Sequence, residues 1–383
     1  MNLLFYDDSP VFGGHEVMAL AGLEAVLASS RDSVLFLTSE ANGKLLSRLQ
    51  ELAQRHPHLK IETVAWHSTK LEAARNLLQP SRHHRLAERF RQLAPDLVVA
   101  IQGNIEHSSL ALHAARRAGI RCLSYIPVPH TNREMGAKLG TVRDLFCGHL
   151  FQLPDAFITI TDEMARKLRQ RGATCAVKIV YNGIDVERFH PGDQTEARKL
   201  LGLPAGKILL GVVGRIEFRQ KQQHKLVEAV ASDPGLAAAC HLVFAGDGPD
   251  SGILHELLEK HNILGTILTW CDPAPLYRSL DALVIPSRYE GLPLVMLEAL
   301  ATGTSVFGSD RDGMKDLLPA DRRFNPDQHS SIASSLSAWL RDGRPAPPEQ
   351  LVMHIRKTMS SEAFGEAFQR AITQAAAGDF KLH

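Results

Sequence analysis

Two cations and two carboxylates in the second half of the chain have the types and spacing to handle a phosphorylated nucleoside. Arg215 and Lys221 follow Gly211-Val212-Val213-Gly214, the end of an apolar run. A guanidinium can chelate a diphosphate through parallel hydrogen bonds, and a nearby ammonium adds a point charge. When a bond between a sugar carbon and that diphosphate breaks, negative charge grows on the leaving group. Cations already in place then stabilise the transition state more than the ground state. Glu290 and Glu298 lie in Ser287-Arg288-Tyr289-Glu290-Gly291-Leu292-Pro293-Leu294-Val295-Met296-Leu297-Glu298. Gly291 supplies a turn and Pro293 suits the first turn of a helix. The free N–H groups around Leu292–Val295 then form a helix start of the kind that binds phosphate. Glu298 falls inside a helix that is apolar almost all round, where a carboxylate needs a partner. A ribose diol fits, because one carboxylate accepts from two hydroxyls. Glu290, in the loop before the helix, would face the reacting sugar. Singly, each of the four has an ordinary reading as a solvated or helix-capping charge. Their shared setting is what points to chemistry.

The first half offers polar candidates in similar places. Asn104, Glu106 and His107 follow the run Leu97–Ile101, and His130 follows Cys122–Ile126. Asn104, Glu106 and His107 are acceptor-side candidates and His130 lies where the cleft is expected, although a lone histidine serves structural roles as readily. Arg75, Arg82, His83, His84, Arg85, Arg89 and Arg91 form a basic stretch on an expected helix. It reads either as a solvated face or as weak attraction to anionic lipid.

The elements that position these residues alternate along the chain. Strands are expected at Asn2–Tyr6, Ser33–Thr38, Ile61–Val64, Leu97–Ile101, Cys122–Ile126, Ala156–Ile160 and Ala176–Tyr181, then at Ile208–Val213, His241–Ala245, Thr266–Trp270, Ala282–Pro286 and Ser305–Gly308. Helical patterns such as Glu16–Ala28 and Ser108–Ala118 separate them. This rhythm predicts an α/β chain of two doubly wound, Rossmann-like parallel domains. The turn-rich junction at Asn182–Asp193 divides it into residues 1–188 and 189–359, and a terminal helix at 360–383 follows a proline-rich break. In such sheets ligands bind beyond the carboxyl ends of the strands, so a cleft between facing domains is the expected site.

The bulk properties narrow the class. A length of 383 residues suits two domains, and a net charge of +1 gives no general attraction to nucleic acid. No apolar run is long enough for a membrane helix, and the first residues do not read as a signal peptide. Five scattered cysteines without a Cys-x-x-Cys pair argue against zinc or a disulfide framework and suit a reducing cytoplasm.

Several segments together resemble the family-4 retaining glycosyltransferases of the GT-B fold (glycosyl transferases group 1). They are Gly214-Arg215…Lys221, Ala245-Gly246-Asp247-Gly248-Pro249, and Glu290 and Glu298 with Gly291-Leu292-Pro293 between them. Gly13-Gly14-His15-Glu16 and Tyr181-Asn182-Gly183-Ile184-Asp185…Phe189 add to the likeness. The resemblance implies two domains across a cleft, with the terminal helix crossing back to the first. It implies a UDP- or GDP-sugar as co-substrate, with no cofactor and no metal. Arg215 and Lys221 would hold the diphosphate with Gly14 and the amides of Leu294 and Val295. Glu298, Gly246 and Trp270 would surround ribose and base, while Glu290 and His130 would hold the transferred sugar. The acceptor would be a glycan, a lipid-linked or a small molecule, in cell-surface polysaccharide or glycoconjugate synthesis at the inner face of the membrane.

Departures at Gln222-Gln223, Gly303-Thr304-Ser305 and Arg311-Asp312-Gly313 bear on the sugar side more than on the phosphate side. With Glu298 assigned to ribose, a displacement through two carboxylates is disfavoured, and a front-face transfer is expected. The alternatives are a nucleotide-sugar epimerase or hydrolase on the same fold and a non-catalytic nucleotide-sugar-binding module.

Overall fold

Strands that are apolar on both faces and joined by helices must lie parallel and covered on each side. The computed structural model, which describes residues 1–29, 32–269 and 271–379, contains two such sheets. The first comprises β1 (Asn2–Asp7), β2 (Ser33–Ser39), β3 (Leu59–Val64), β4 (Leu97–Ile101), β5 (Cys122–Tyr125), β6 (Ala156–Thr159) and β7 (Ala176–Ile179), in the order β3-β2-β1-β4-β5-β6-β7. The second comprises β8 (Ile208–Val213), β9 (Cys240–Ala245), β10 (Gly265–Leu268), β11 (Ala282–Ile285), β12 (Ser305–Ser309) and β13 (Arg323–Phe324), in the order β10-β9-β8-β11-β12-β13. Both are Rossmann-like. In each, the strand order reverses beside the first strand, at β1/β4 and at β8/β11, and such reversals open the crevice where ligands bind.

All the strands expected from the sequence are present, with ends moved by a few residues. Two elements were not foreseen: β13, of two residues, and the helix Glu349–Thr358 beyond the proline-rich break. Trp270, expected to end a strand and to lie near the base, is outside the described residues.

The chain divides into Met1–Gly183 with the segment from Glu362 onward, and Ile184–Ser361. Ile184–Arg188 therefore belong to the second unit, not the first as expected. The backbone gives the reason: Ile184 N donates to Met359 O at 2.9 Å, and Ser361 N donates to Ile184 O at 2.8 Å. The helix Ser361–Ala377 lays Phe364 and Phe368 into the first unit. Phe368 meets Tyr125 edge-on at 5.7 Å and fills the space over Gly22, where a Cβ would come within 2.6 Å of its ring. Each unit has its own apolar core, with Leu4, Tyr6, Phe90 and Val98 in one and Leu210, Val212, Phe244 and Phe307 in the other. The five cysteines are free.

Candidate functional site

The second unit builds its site at the β8/β11 reversal. After β8 the chain turns at Gly214, whose φ of +130° favours glycine. It is held against the loop after β9, with Gly214 N donating to Ala245 O at 2.9 Å and Ile216 N to Asp247 O at 3.0 Å. Gly246 has a φ of +145°, and a Cβ there would lie 2.1 Å from Gly214 O. Its glycine is thus required by this loop-to-loop closure, whatever else it touches. Arg288 N donates to Gln220 O at 2.8 Å, which ties the loop after β8 to the loop after β11.

That tie brings Lys221 and Glu290 together: Nζ donates to Oε1 at 2.7 Å. Glu290 is buried, and its N–H donates to the carboxylate of buried Asp312 at 2.9 Å. Arg215 is 66% exposed, and among the described residues its guanidinium pairs only with Glu217, at 3.8 Å. It is free to swing onto an anion. Leu294 and Val295 open the helix Leu294–Ala301 behind Pro293. Their N–H groups precede its first helical hydrogen bond, from Met296 N to Pro293 O at 3.1 Å.

Glu298 is half-buried rather than sealed in the helix as expected, and its partner is a side chain the sequence did not flag. The hydroxyl of Tyr277, on the helix Pro273–Ser279, donates to Oε2 at 2.7 Å. Burial raises the Glu298 carboxyl above the usual range, against the opposing pull of Tyr277 and Arg188. Asp272, beside the position expected for the base, caps that same helix and pairs with Arg188 at 2.8 Å.

The first unit treats its candidates differently. Gly14 begins the helix Gly14–Ser29, and a Cβ there would meet nothing within 4 Å, so the unit's own packing does not demand glycine. Asn104 Oδ1 accepts from the N–H of Glu106 at 2.9 Å and of His107 at 3.2 Å, and Asn104 Nδ2 lies 3.2 Å from His107 Nε2. Burial lowers His107 to about 4, so it is neutral at physiological pH. Glu106 is buried and clamped by the guanidinium of Arg143, with Nε at 2.9 Å. In this structure its carboxylate is paired within the first unit. His130 is buried, and Lys167 Nζ lies 2.9 Å from its Nε2. Buried Asp7 and Glu16 also converge with His15, their ligand atoms within 4.8 Å of one another, the one such group among the described residues. Burial, then Glu16, raises Asp7 well above the usual carboxylate range.

Four of the five arginines of the basic stretch are paired with carboxylates. Arg75 and Arg82 bond Glu72, Arg89 bonds Glu62, and Arg91 bonds Glu88. Among the described residues no helix is long and apolar enough to cross a membrane.

Two family models match the chain: Glycosyltransferase Family 4 over residues 14–188 and Glycosyl transferases group 1 over residues 193–361. The chain is 35% identical over 212 residues to a D-inositol 3-phosphate glycosyltransferase of Actinosynnema mirum, covering 49% of this chain and 51% of that protein. It is 36% identical over 169 residues to the putative glycosyltransferase EpsF of Bacillus subtilis, covering 43% and 42%. It thus spans about half the length of the curated relatives it matches. Among solved structures, Anabaena Alr3699/HepE in complex with UDP superposes with a TM-score of 0.77 at 17% identity, covering 98% of this chain and 100% of that one. Sucrose-phosphate synthase from Thermosynechococcus elongatus gives 0.76 at 18%, covering 99% and 100%. These two likenesses speak to fold.

Proposed function

We propose that this chain, which belongs to the family-4 glycosyltransferases of the GT-B fold, transfers a sugar from a nucleoside-diphosphate donor to an acceptor hydroxyl, with retention at the anomeric carbon and without a metal. The observation that carries the reading is the Lys221–Glu290 ion pair at the β8/β11 reversal, at 2.7 Å. A reversal of strand order favours ligand binding there. A cation and a carboxylate that hold each other are each available to exchange partners, Lys221 for phosphate and Glu290 for sugar hydroxyls. Arg215 would close on the diphosphate, and the N–H groups of Leu294 and Val295 would complete its cradle. Glu298, braced by Tyr277, would accept from the ribose. The leaving diphosphate would take the acceptor proton in a front-face transfer, with His130 a further sugar contact. UDP-sugars are the donors to try first, because the similar Alr3699/HepE structures hold UDP and UDP-glucose; GDP-sugars come second. The acceptor is proposed to be a glycan or a lipid-linked sugar of the cell surface, with the protein working on the cytoplasmic side.

A thermal-shift series with UDP, GDP and their sugars, with and without chelator, tests the donor site. Ligand bound only by the native state adds about 2.7 kcal/mol of stability at a concentration a hundredfold above Kd, and so raises the midpoint. Transfer to candidate acceptors, with the anomeric configuration read by NMR, tests the reaction. No shift with any nucleotide, or an inverted product, would overturn the assignment.

A further inference from the structure

The helix Gly140–Cys147 in the first unit is amphipathic in the inverted sense. Its inner face is small or polar: Gly140 and Cys147 are buried, Arg143 clamps Glu106, and Asp144 accepts from Asn132 and from Arg133 N. Its outer face carries Val142, Leu145 and Phe146, and Leu139 precedes it. A soluble surface helix does the opposite. The helix Glu72–Leu78 packs beside it and ends in a second exposed pair, Leu77 and Leu78. Leu78 is 82% exposed and Leu145 79%, so neither contributes to the core. Six large apolar side chains gathered on two adjacent helices exceed the scattered apolar exposure normal for a soluble surface, and such patches mark interaction sites.

Charge identifies the partner. Lys70 lies just before the first of these helices and Lys138 just before the second, with Arg133 against the second helix's start, where a Cβ on Gly140 would come within 2.7 Å of Arg133 N; all three are exposed. Among the described residues none of the three is in an ion pair. Two carboxylates on or beside these helices are paired with other cations, Glu72 with Arg75 and Arg82 and Glu134 with Arg171, and Asp144 is turned to the inner side, onto Asn132 and the N–H of Arg133. The patch is therefore apolar at its centre and positive at its rim. A second copy docked face to face would set like charges against each other. A bilayer with anionic headgroups accepts both features, burying the apolar side chains at the acyl boundary while the cations meet lipid phosphate.

We propose that the outer face of the helix Gly140–Cys147, with Leu77 and Leu78, docks this protein on an anionic lipid surface. This inference is independent of the glycosyl-transfer reading, because it is measured as binding and not as turnover. Flotation of the full chain with phosphatidylcholine vesicles and with equimolar phosphatidylcholine–phosphatidylglycerol vesicles tests it. Binding to the mixed vesicles, reversed by salt, is expected. Leu78→Ser with Leu145→Ser should lower the partition coefficient at least about tenfold, since each leucine side chain withdrawn from water is worth more than that factor. Lys138→Glu, a change of two charges, should lower it about 25-fold on the mixed vesicles only, at roughly fivefold per charge. All variants should melt as the parent does, because the substituted side chains are exposed. Three results would overturn the proposal. They are failure of the parent to bind mixed vesicles at low salt, binding of the serine variant equal to the parent's, and a dimer by light scattering that the serine substitutions dissolve, which would assign the face to a second copy.

Discussion

Replacing Lys221 with alanine separates the stability of the donor site from its chemistry. Lys221 Nζ lies 2.7 Å from Glu290 Oε1, with the two side chains 24% and 9% exposed. At that distance the attraction is about 1.5 kcal/mol in water and about 6 kcal/mol at an effective dielectric of ~20. Removing both groups from water cancels most of it, leaving a net contribution of about 1–3 kcal/mol. Lys221→Ala should cost the second unit about 2 kcal/mol, because it leaves the buried Glu290 carboxylate without its cation. The double variant Lys221→Ala/Glu290→Gln should be less destabilised than the two single effects added, since no unpaired charge remains. Turnover should behave otherwise. If Lys221 stabilises the leaving diphosphate, its loss costs about 10²–10³ in kcat, and Glu290→Gln does not restore it. Lys221→Arg, which keeps the charge, should recover part. Denaturant melts of the four proteins and an assay of nucleotide release measure the two effects on the same samples. Turnover of Lys221→Ala within about threefold of the parent would refute the leaving-group role. Additivity of the two substitutions within about 0.3 kcal/mol would refute the ion pair.

Three further outcomes follow from the geometry. Burial lifts the folded-state pKa of Glu298 above its ordinary 4.5. Its contribution to stability is therefore complete below that value and lost as pH rises through the raised one. Glu298→Gln should gain on the parent from about pH 4 to pH 7 in thermal melts while losing nucleotide affinity; a pH-independent difference would contradict this. Gly246→Ala places a Cβ 2.1 Å from Gly214 O, and should cost about 3 kcal/mol or more. A variant that melts normally and only loses nucleotide would make Gly246 a ligand contact instead of a packing requirement. His107 is held at about 4 by burial, below its ordinary 6.5. Stability it contributes above 6.5 should fall as acid is added, by up to ~1.4 kcal/mol per pH unit. His107→Gln should flatten that slope, and an unchanged acid limb would count against the buried neutral ring.

What the sequence shows and what it hides divide along one physical line. Strands buried on both faces appear as continuous apolar runs, so β1, β4, β8 and β11 are legible and the two sheets with them. β13 is two residues and leaves no such run. The loops after β8 and β11 were found because glycine and proline punctuate them, and residues after strands at a reversal face the crevice. Contacts between distant segments have no local signature. Nothing near Glu298 announces Tyr277, and nothing near Glu290 announces Asp312. The junction moved to Ile184 because the backbone of that residue pairs with Met359 and Ser361, far along the chain. The same blindness explains Glu106 and the basic stretch. The sequence displays a charge but not the opposite charge the fold brings to it, so Arg143, Glu62 and Glu72 neutralise residues that look available. An exposed apolar side chain escapes in the opposite way. Leu145 reads as core until folding leaves it outside, which makes the outer face of the helix Gly140–Cys147 a property of the structure alone.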